Sequence, residues 1–155
     1  MINKKFNIFK ISLFFFFISS YSFSNEITLK VNQVQNDFQF CRFFVDAFNN
    51  TNMNITEMWL DVTYFDKDDY IIDRKDWWWR GLKPNKNRLI ERSQSFVNTN
   101  EENMPCNQVG RVEINNIWGV QIDGDYPSDK DFYENLLYEI IKIINNLPNI
   151  QVVKN

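Results

Sequence analysis

Cys41 and Cys106 are the only cysteines in this 155-residue chain, and they constrain its fold more than any other feature. Their meaning depends on where the chain folds. Met1 to Ser24 carries basic Lys4, Lys5 and Lys10, an apolar run from Ile11 to Ile18, and small Ser22 and Ser24 before an expected cut after Ser24, the three parts of a secretory signal. The apolar run falls well short of the roughly 20 residues a spanning helix needs, so no stable membrane span is expected after signal removal. Lys-Lys in place of twin arginine points to the general secretory route, and no cysteine follows the cut closely enough for a lipid anchor. The expected location is periplasmic or secreted. An exported chain with no histidine to share a metal site uses two cysteines best as one disulfide, Cys41 to Cys106, against the alternative of two buried thiols.

The remaining chain reads as strands separated by turn signals. Segments 27–34, 38–49, 56–65, 70–79, 88–97 and 106–118 are predicted strands, with a hairpin turn at Asp66, Lys67, Asp68 and Asp69, where aspartate tolerates turn geometry. Six short strands predict a two-sheet sandwich. Side-chain parity supports the disulfide, because Cys41 shares a strand face with Phe43, Val45 and Ala47, and Cys106 shares one with Val112 and Ile114. The opposite face of the second strand carries Phe40, Phe44 and Phe48 beside Arg42 and Asp46, which is too aromatic for an ordinary wet face and asks for a cover.

The C-terminal segment offers that cover. Ser128 is a predicted helix cap, Asp129, Asp131 and Glu134 sit near the positive end, and Tyr133, Leu136, Leu137, Ile140, Ile141, Ile144 and Leu147 recur at helical spacing up to Pro148. An amphipathic helix packed on its own sheet is expected; docking on a partner is the alternative. Acidic residues outnumber Lys130 and Lys142, which disfavours a membrane surface.

Residues 40–118 carry a Cys-led strand from Cys41 to Asn49, then Phe65-Asp66 at a hairpin, Leu82-Lys83-Pro84 in a loop, and a second Cys-led strand from Cys106 to Asn115. This pattern resembles small exported bacterial domains of immunoglobulin-like type with no assigned activity. The resemblance covers about half the chain and implies an immunoglobulin-like two-sheet sandwich. The chain departs from the pattern at Asp69, where a turn glycine is usual, and at Met104, where antibody-type domains place a tyrosine. The expected organisation is a signal peptide over 1–24, a β-sandwich domain over 25–122, and a C-terminal helix and tail over 123–155 packed on the same domain.

Composition narrows the function. The formal net charge is −3 and becomes more negative once Lys4, Lys5 and Lys10 leave with the signal, which argues against nucleic acid as a partner. Without histidine the usual general base and the commonest zinc ligand are missing. No phosphate-binding glycine loop or nucleophile elbow is present, and no cofactor or metal is called for. Two acidic groups, Asp66, Asp68, Asp69, Asp73 and Asp123, Asp125, Asp129, Asp131, do not fit the EF-hand, because Ile71 stands where the first needs glycine and the second lacks its terminal glutamate. Sequons begin at Asn49 and Asn54 and matter only in a glycosylating host.

The most unusual local feature is Trp77, Trp78 and Trp79 followed by Arg80. In a strand, Trp77 and Trp79 point one way and Trp78 the other. The candidate binding patch is Trp77, Trp79 and Arg80, as a stacking platform for a glycan or a seat for another envelope protein; burial of these indoles is the alternative. The expectation is a non-catalytic exported binding or structural module of the bacterial cell envelope. A small periplasmic hydrolase using Asp or Glu, and an accessory subunit of an envelope complex, are the competing readings.

Overall fold

The computed structural model describes residues 25–37, 40–94 and 106–155. The expected signal segment and the loop before Cys106 lie outside the described residues. Eight strands and one helix follow one another as β1 (Ile27–Asp37), β2 (Phe40–Asn49), β3 (Ile55–Asp66), β4 (Ile71–Leu82), β5 (Lys86–Gln94), β6 (Val109–Ile122), α1 (Lys130–Glu139), β7 (Ile141–Asn145) and β8 (Gln151–Lys154). They form two four-stranded sheets, β5-β2-β1-β7 and β4-β3-β6-β8, packed as a mainly β sandwich.

Alternation drives the assembly. Ile27, Leu29 and Val31 of β1, Phe43, Val45 and Ala47 of β2, and Met58, Leu60, Val62 and Tyr64 of β3 are fully buried, every second residue facing the opposite sheet. The β3–β4 turn is held by Asp66, whose Oδ1 accepts from the backbone N–H of Asp68 at 2.8 Å and of Tyr70 at 2.9 Å. Asp69 then takes a positive φ of 64°, so it occupies the left-handed geometry usually given to glycine. Cys41 and Cys106 form the disulfide, with Cα atoms 5.0 Å apart, tying the start of β2 to the short turn that leads into β6.

Asn49 is fully buried, which removes the first sequon as a glycan acceptor. Its amide donates to the carbonyls of Met53 and Leu82, both at 2.8 Å, and its Oδ1 accepts from the Thr51 hydroxyl at 2.7 Å. The side chain is thus a corner brace between β2, the following loop and β4.

The C-terminal segment departs from expectation. The helix spans only Lys130–Glu139, and its cap is Asp129, which accepts from the Phe132 N–H at 3.1 Å; Ser128 is not the cap. Past Glu139 the isoleucine-rich stretch becomes β7, parallel to β1, and the tail returns as β8, parallel to β6. β-branched side chains favour a pleated strand, and the free edge of each sheet offers backbone partners that a longer helix would forgo. α1 packs against β6 and sends Leu137 into the core, while Phe48 stays 39% exposed and Trp118 44% exposed. It therefore plugs the sandwich beside β6 and leaves both aromatic outer faces open.

The expected patch also needs correcting. Trp77 and Trp79 are fully buried core residues packed edge to face with centroids 6.4 Å apart, and the Trp77 Nε1–H donates to the Tyr64 hydroxyl at 2.7 Å. Of the proposed trio only Arg80 is exposed. Two large apolar indoles on the same strand face gain more from the core than a single one would, so parity resolves with Trp78 outward.

Candidate functional site

Trp78 faces outward on β4 directly across from Trp59 on β3, its register partner, and the two rings lie 10° from parallel with centroids 6.0 Å apart. A third indole joins from β6. The β3–β6 register shifts between Trp59 and Leu60, so that Gly119 pairs with Trp59 and Ile117 with Leu60, leaving Trp118 as the extra residue. This bulge turns Trp118 outward, 5.7 Å from Trp59, while Ile117 and Val120 both stay in the core. Gly119 is required beneath it: a Cβ there would sit 2.9 Å from Trp59 Cε3, so the missing side chain is what lets the Trp59 ring lie across β6.

Polar groups frame the three rings. The Arg80 guanidinium sits 4.4 Å above the Trp78 ring and its Nε donates to Glu57 Oε1 at 2.9 Å, a cation–π contact held by an ion pair. On the other side, the Trp118 Nε1–H donates to Asp76 Oδ1 at 2.8 Å, reaching over β3 to do so. Asp61 is the cross-strand partner of Asp76, and its Oδ2 accepts from Asn115 Nδ2 at 3.0 Å; the same amide donates to the Thr63 hydroxyl at 2.8 Å. The surface is therefore a stripe of Arg80, Trp78, Trp59 and Trp118 bordered by Glu57, Asp61 and Asp76.

Two other places were candidates. The outer face of the β5-β2-β1-β7 sheet shows Phe48, Leu89 at 59% and Ile144 at 38% exposed. At the disulfide end of the sandwich a cavity of about 1120 Å³ is lined by Asp66, Asp69, Arg111, Asn145 and Asn149 among others. Of its two cations, Lys67 and Arg111, the second is already engaged. Arg111 pairs with Glu113, donates to Asp69 at 3.1 Å and lies 3.7 Å above the Phe65 ring. Burial works to lower the Arg111 pKa, and the bonds to Asp69 and Glu113 outweigh it, so the guanidinium is held above its ordinary value.

In the two acidic groups, Asp66 and Asp129 serve as turn and cap residues. Asp66 closes its hairpin, Asp129 caps α1, and Asp123 Oδ1 accepts from Asn54 Nδ2 at 3.0 Å. Among the described residues, no group of three or more acidic or cysteine side chains is placed to hold a metal ion.

Fold and site together define a disulfide-linked β-sandwich with an aromatic outer face framed by carboxylates. The chain matches no family model, no curated protein and no solved structure. The disulfide suggests an oxidising compartment, and no helix among the described residues is long and apolar enough to cross a membrane.

Proposed function

We propose that this chain is an exported, non-catalytic binding module of the bacterial cell envelope that holds a glycan on the outer face of the β4-β3-β6-β8 sheet. One observation carries the reading: three indoles from three adjacent strands, with centroids 6.0 and 5.7 Å apart, gathered on a sheet face that the protein's own helix leaves open. A pyranose presents an apolar face of C–H bonds and a rim of hydroxyl donors, and a row of indoles about one ring's width apart, edged by carboxylate acceptors, complements both. The disulfide supports export. An immunoglobulin-type sandwich is part of the proposal: β1, β2 and β5 face β4, β3 and β6, with the disulfide between the second strand and the entry to β6. The parallel β8 is a departure from that type.

The test uses the chain without its first 24 residues, made in an oxidising compartment. Binding to neutral, amino and acidic polysaccharides is followed by affinity electrophoresis, with Trp118→Ala as the surface variant. Retarded migration that Trp118→Ala abolishes, at an unchanged melting curve, supports the reading. Absence of retardation by every polysaccharide, or retardation indifferent to Trp118, overturns it.

A further inference from the structure

We infer that the glycan held on this face carries free amino groups, so that the sugar is cationic and a deacetylated amino-sugar polymer is the preferred class. The inference rests on the glycan reading above and adds the charge of the ligand. Asp61 and Asp76 stand directly opposite each other on β3 and β4, pointing to the same side as the indoles. Like charges at opposite positions of an antiparallel pair repel, and a strand pair gains nothing from keeping them. Each carboxylate has one oxygen already bonded: Asp61 Oδ2 to Asn115 and Asp76 Oδ1 to Trp118. The second oxygen of each has no partner among the described residues, so two acceptors with negative charge are fixed in orientation beside Trp59 and Trp118.

The other charges on the face do not cancel this pair. Arg80 is matched by Glu57 and Lys75 by Asp73 at 3.0 Å, which leaves Asp61 and Asp76 as the acidic pair next to the rings; Arg74, two residues along β4 from Asp76 and on the same face, pairs with neither of them among the described residues. The face also shows how it treats a cation, because the Arg80 guanidinium already lies over Trp78. Trp118, 44% exposed, and its neighbour Trp59 present ring faces beside the uncompensated carboxylates. An ammonium on a sugar stacked there would meet carboxylate oxygens and an electron-rich ring together. A uronic acid would meet two negative charges instead, and an N-acetylated sugar would lose the charge.

The experiment measures binding of soluble chitosan oligomers, their fully N-acetylated counterparts, polygalacturonate and polylysine to the mature chain by isothermal titration at low salt and at 0.5 M salt (about a 4 Å Debye length). The expected result is a chitosan affinity about tenfold above that of the N-acetylated oligomer, falling with salt, with no polygalacturonate binding. Asp61→Asn with Asp76→Asn keeps an acceptor for Asn115 and Trp118 while removing both charges. It should bring chitosan binding down to the N-acetylated level and raise the melting temperature of the free protein. Equal or tighter binding of the N-acetylated oligomer overturns the inference and leaves the glycan reading standing. Polylysine binding as tight as chitosan overturns the sugar part and makes the face a site for basic protein. Binding of none of these polymers overturns both readings.

Discussion

Truncating Trp77 of β4 and Trp118 of β6 separately is the most direct test of which indoles face the core and which face outward. Trp77 is fully buried, and a tryptophan hides about 200 Å² of surface, which at about 25 cal/mol per Å² amounts to about 5 kcal/mol. Trp77→Ala also removes the 2.7 Å bond to the Tyr64 hydroxyl, a net contribution of about 1 kcal/mol. Partial collapse of the site returns some of this, and buried aromatic truncations cost about 3 to 5 kcal/mol in practice, so a loss of about 4 kcal/mol is expected. Trp118 is 44% exposed and its bond to Asp76 is at the surface, so Trp118→Ala should cost no more than about 1 kcal/mol. Urea unfolding of the oxidised protein, read by far-ultraviolet circular dichroism, measures both. Where Trp77→Ala fails to fold, Trp77→Phe keeps most of the volume, loses the bond, and should cost about 2 kcal/mol. Similar costs for the two sites, or a loss under about 1 kcal/mol at Trp77, would refute the inward placement of Trp77 and the outward placement of Trp118 together.

Three further outcomes follow from the structure. Protein with the disulfide intact should show no free thiol until reduced, and Cys41→Ser should cost about 4 kcal/mol in unfolding free energy, the chain-entropy value for a separation of 65 residues. Gly119→Ala forces a Cβ to within 2.9 Å of the Trp59 ring, so it should cost about 1 to 3 kcal/mol in thermal or urea unfolding and weaken polysaccharide retardation with it. Burial raises the Tyr138 pKa above its ordinary 10.0, against the lowering effect of a backbone hydrogen bond with Asn155; the folded state then holds a proton the unfolded state has lost, so this stability is complete below pH 10 and is lost as pH climbs beyond it. Stability curves from pH 8 to 12 should fall less steeply in Tyr138→Phe than in the parent, and parallel curves would refute the assignment.

The sandwich was legible because it rests on parity and turn chemistry, both local. Asp66 announced its hairpin, and the alternation of Cys41, Phe43, Val45 and Ala47 announced a buried strand face that the structure confirms. The indole site was only half legible. Sequence alone leaves open whether Trp78 or the pair Trp77 and Trp79 faces outward, because reversing the strand satisfies the same pattern. The partners were hidden by register: continuing the Phe65–Ile71 pairing without irregularity would set Trp59 against Trp77, and the one-residue shift between Tyr64 and Phe65 brings it opposite Trp78 instead. Trp118 depended on a second bulge, in β6, which no residue pattern announces except Gly119 just beyond it. The helix was overextended because Ile140, Ile141 and Ile144 fit a helical stripe as well as a strand, and the deciding factor, the free edge of β1, is distant in sequence.

That same edge pairing explains why the C-terminal segment covers neither aromatic outer face. A helix long enough to reach Leu147 would have lain across a sheet; a helix that stops at Glu139 leaves the last residues to bind both sheets edge-on. The Ile27 N–H donates to the Ile140 carbonyl at 3.1 Å, and β7 begins there beside β1. The chain then crosses to β6, where the Tyr138 hydroxyl lies 2.8 Å from the Ile114 carbonyl and Lys154 reaches back to the carbonyls of Tyr138 and Glu139 at 3.1 and 3.2 Å. An ammonium at the carbonyl end of α1 satisfies groups the helix cannot pair internally and opposes the negative end of its dipole. β7 and β8 are five and four residues long, short edges that offer little to another chain. The tail thus spends its hydrogen bonds on closing edges rather than on covering the face that bears Trp59, Trp78 and Trp118.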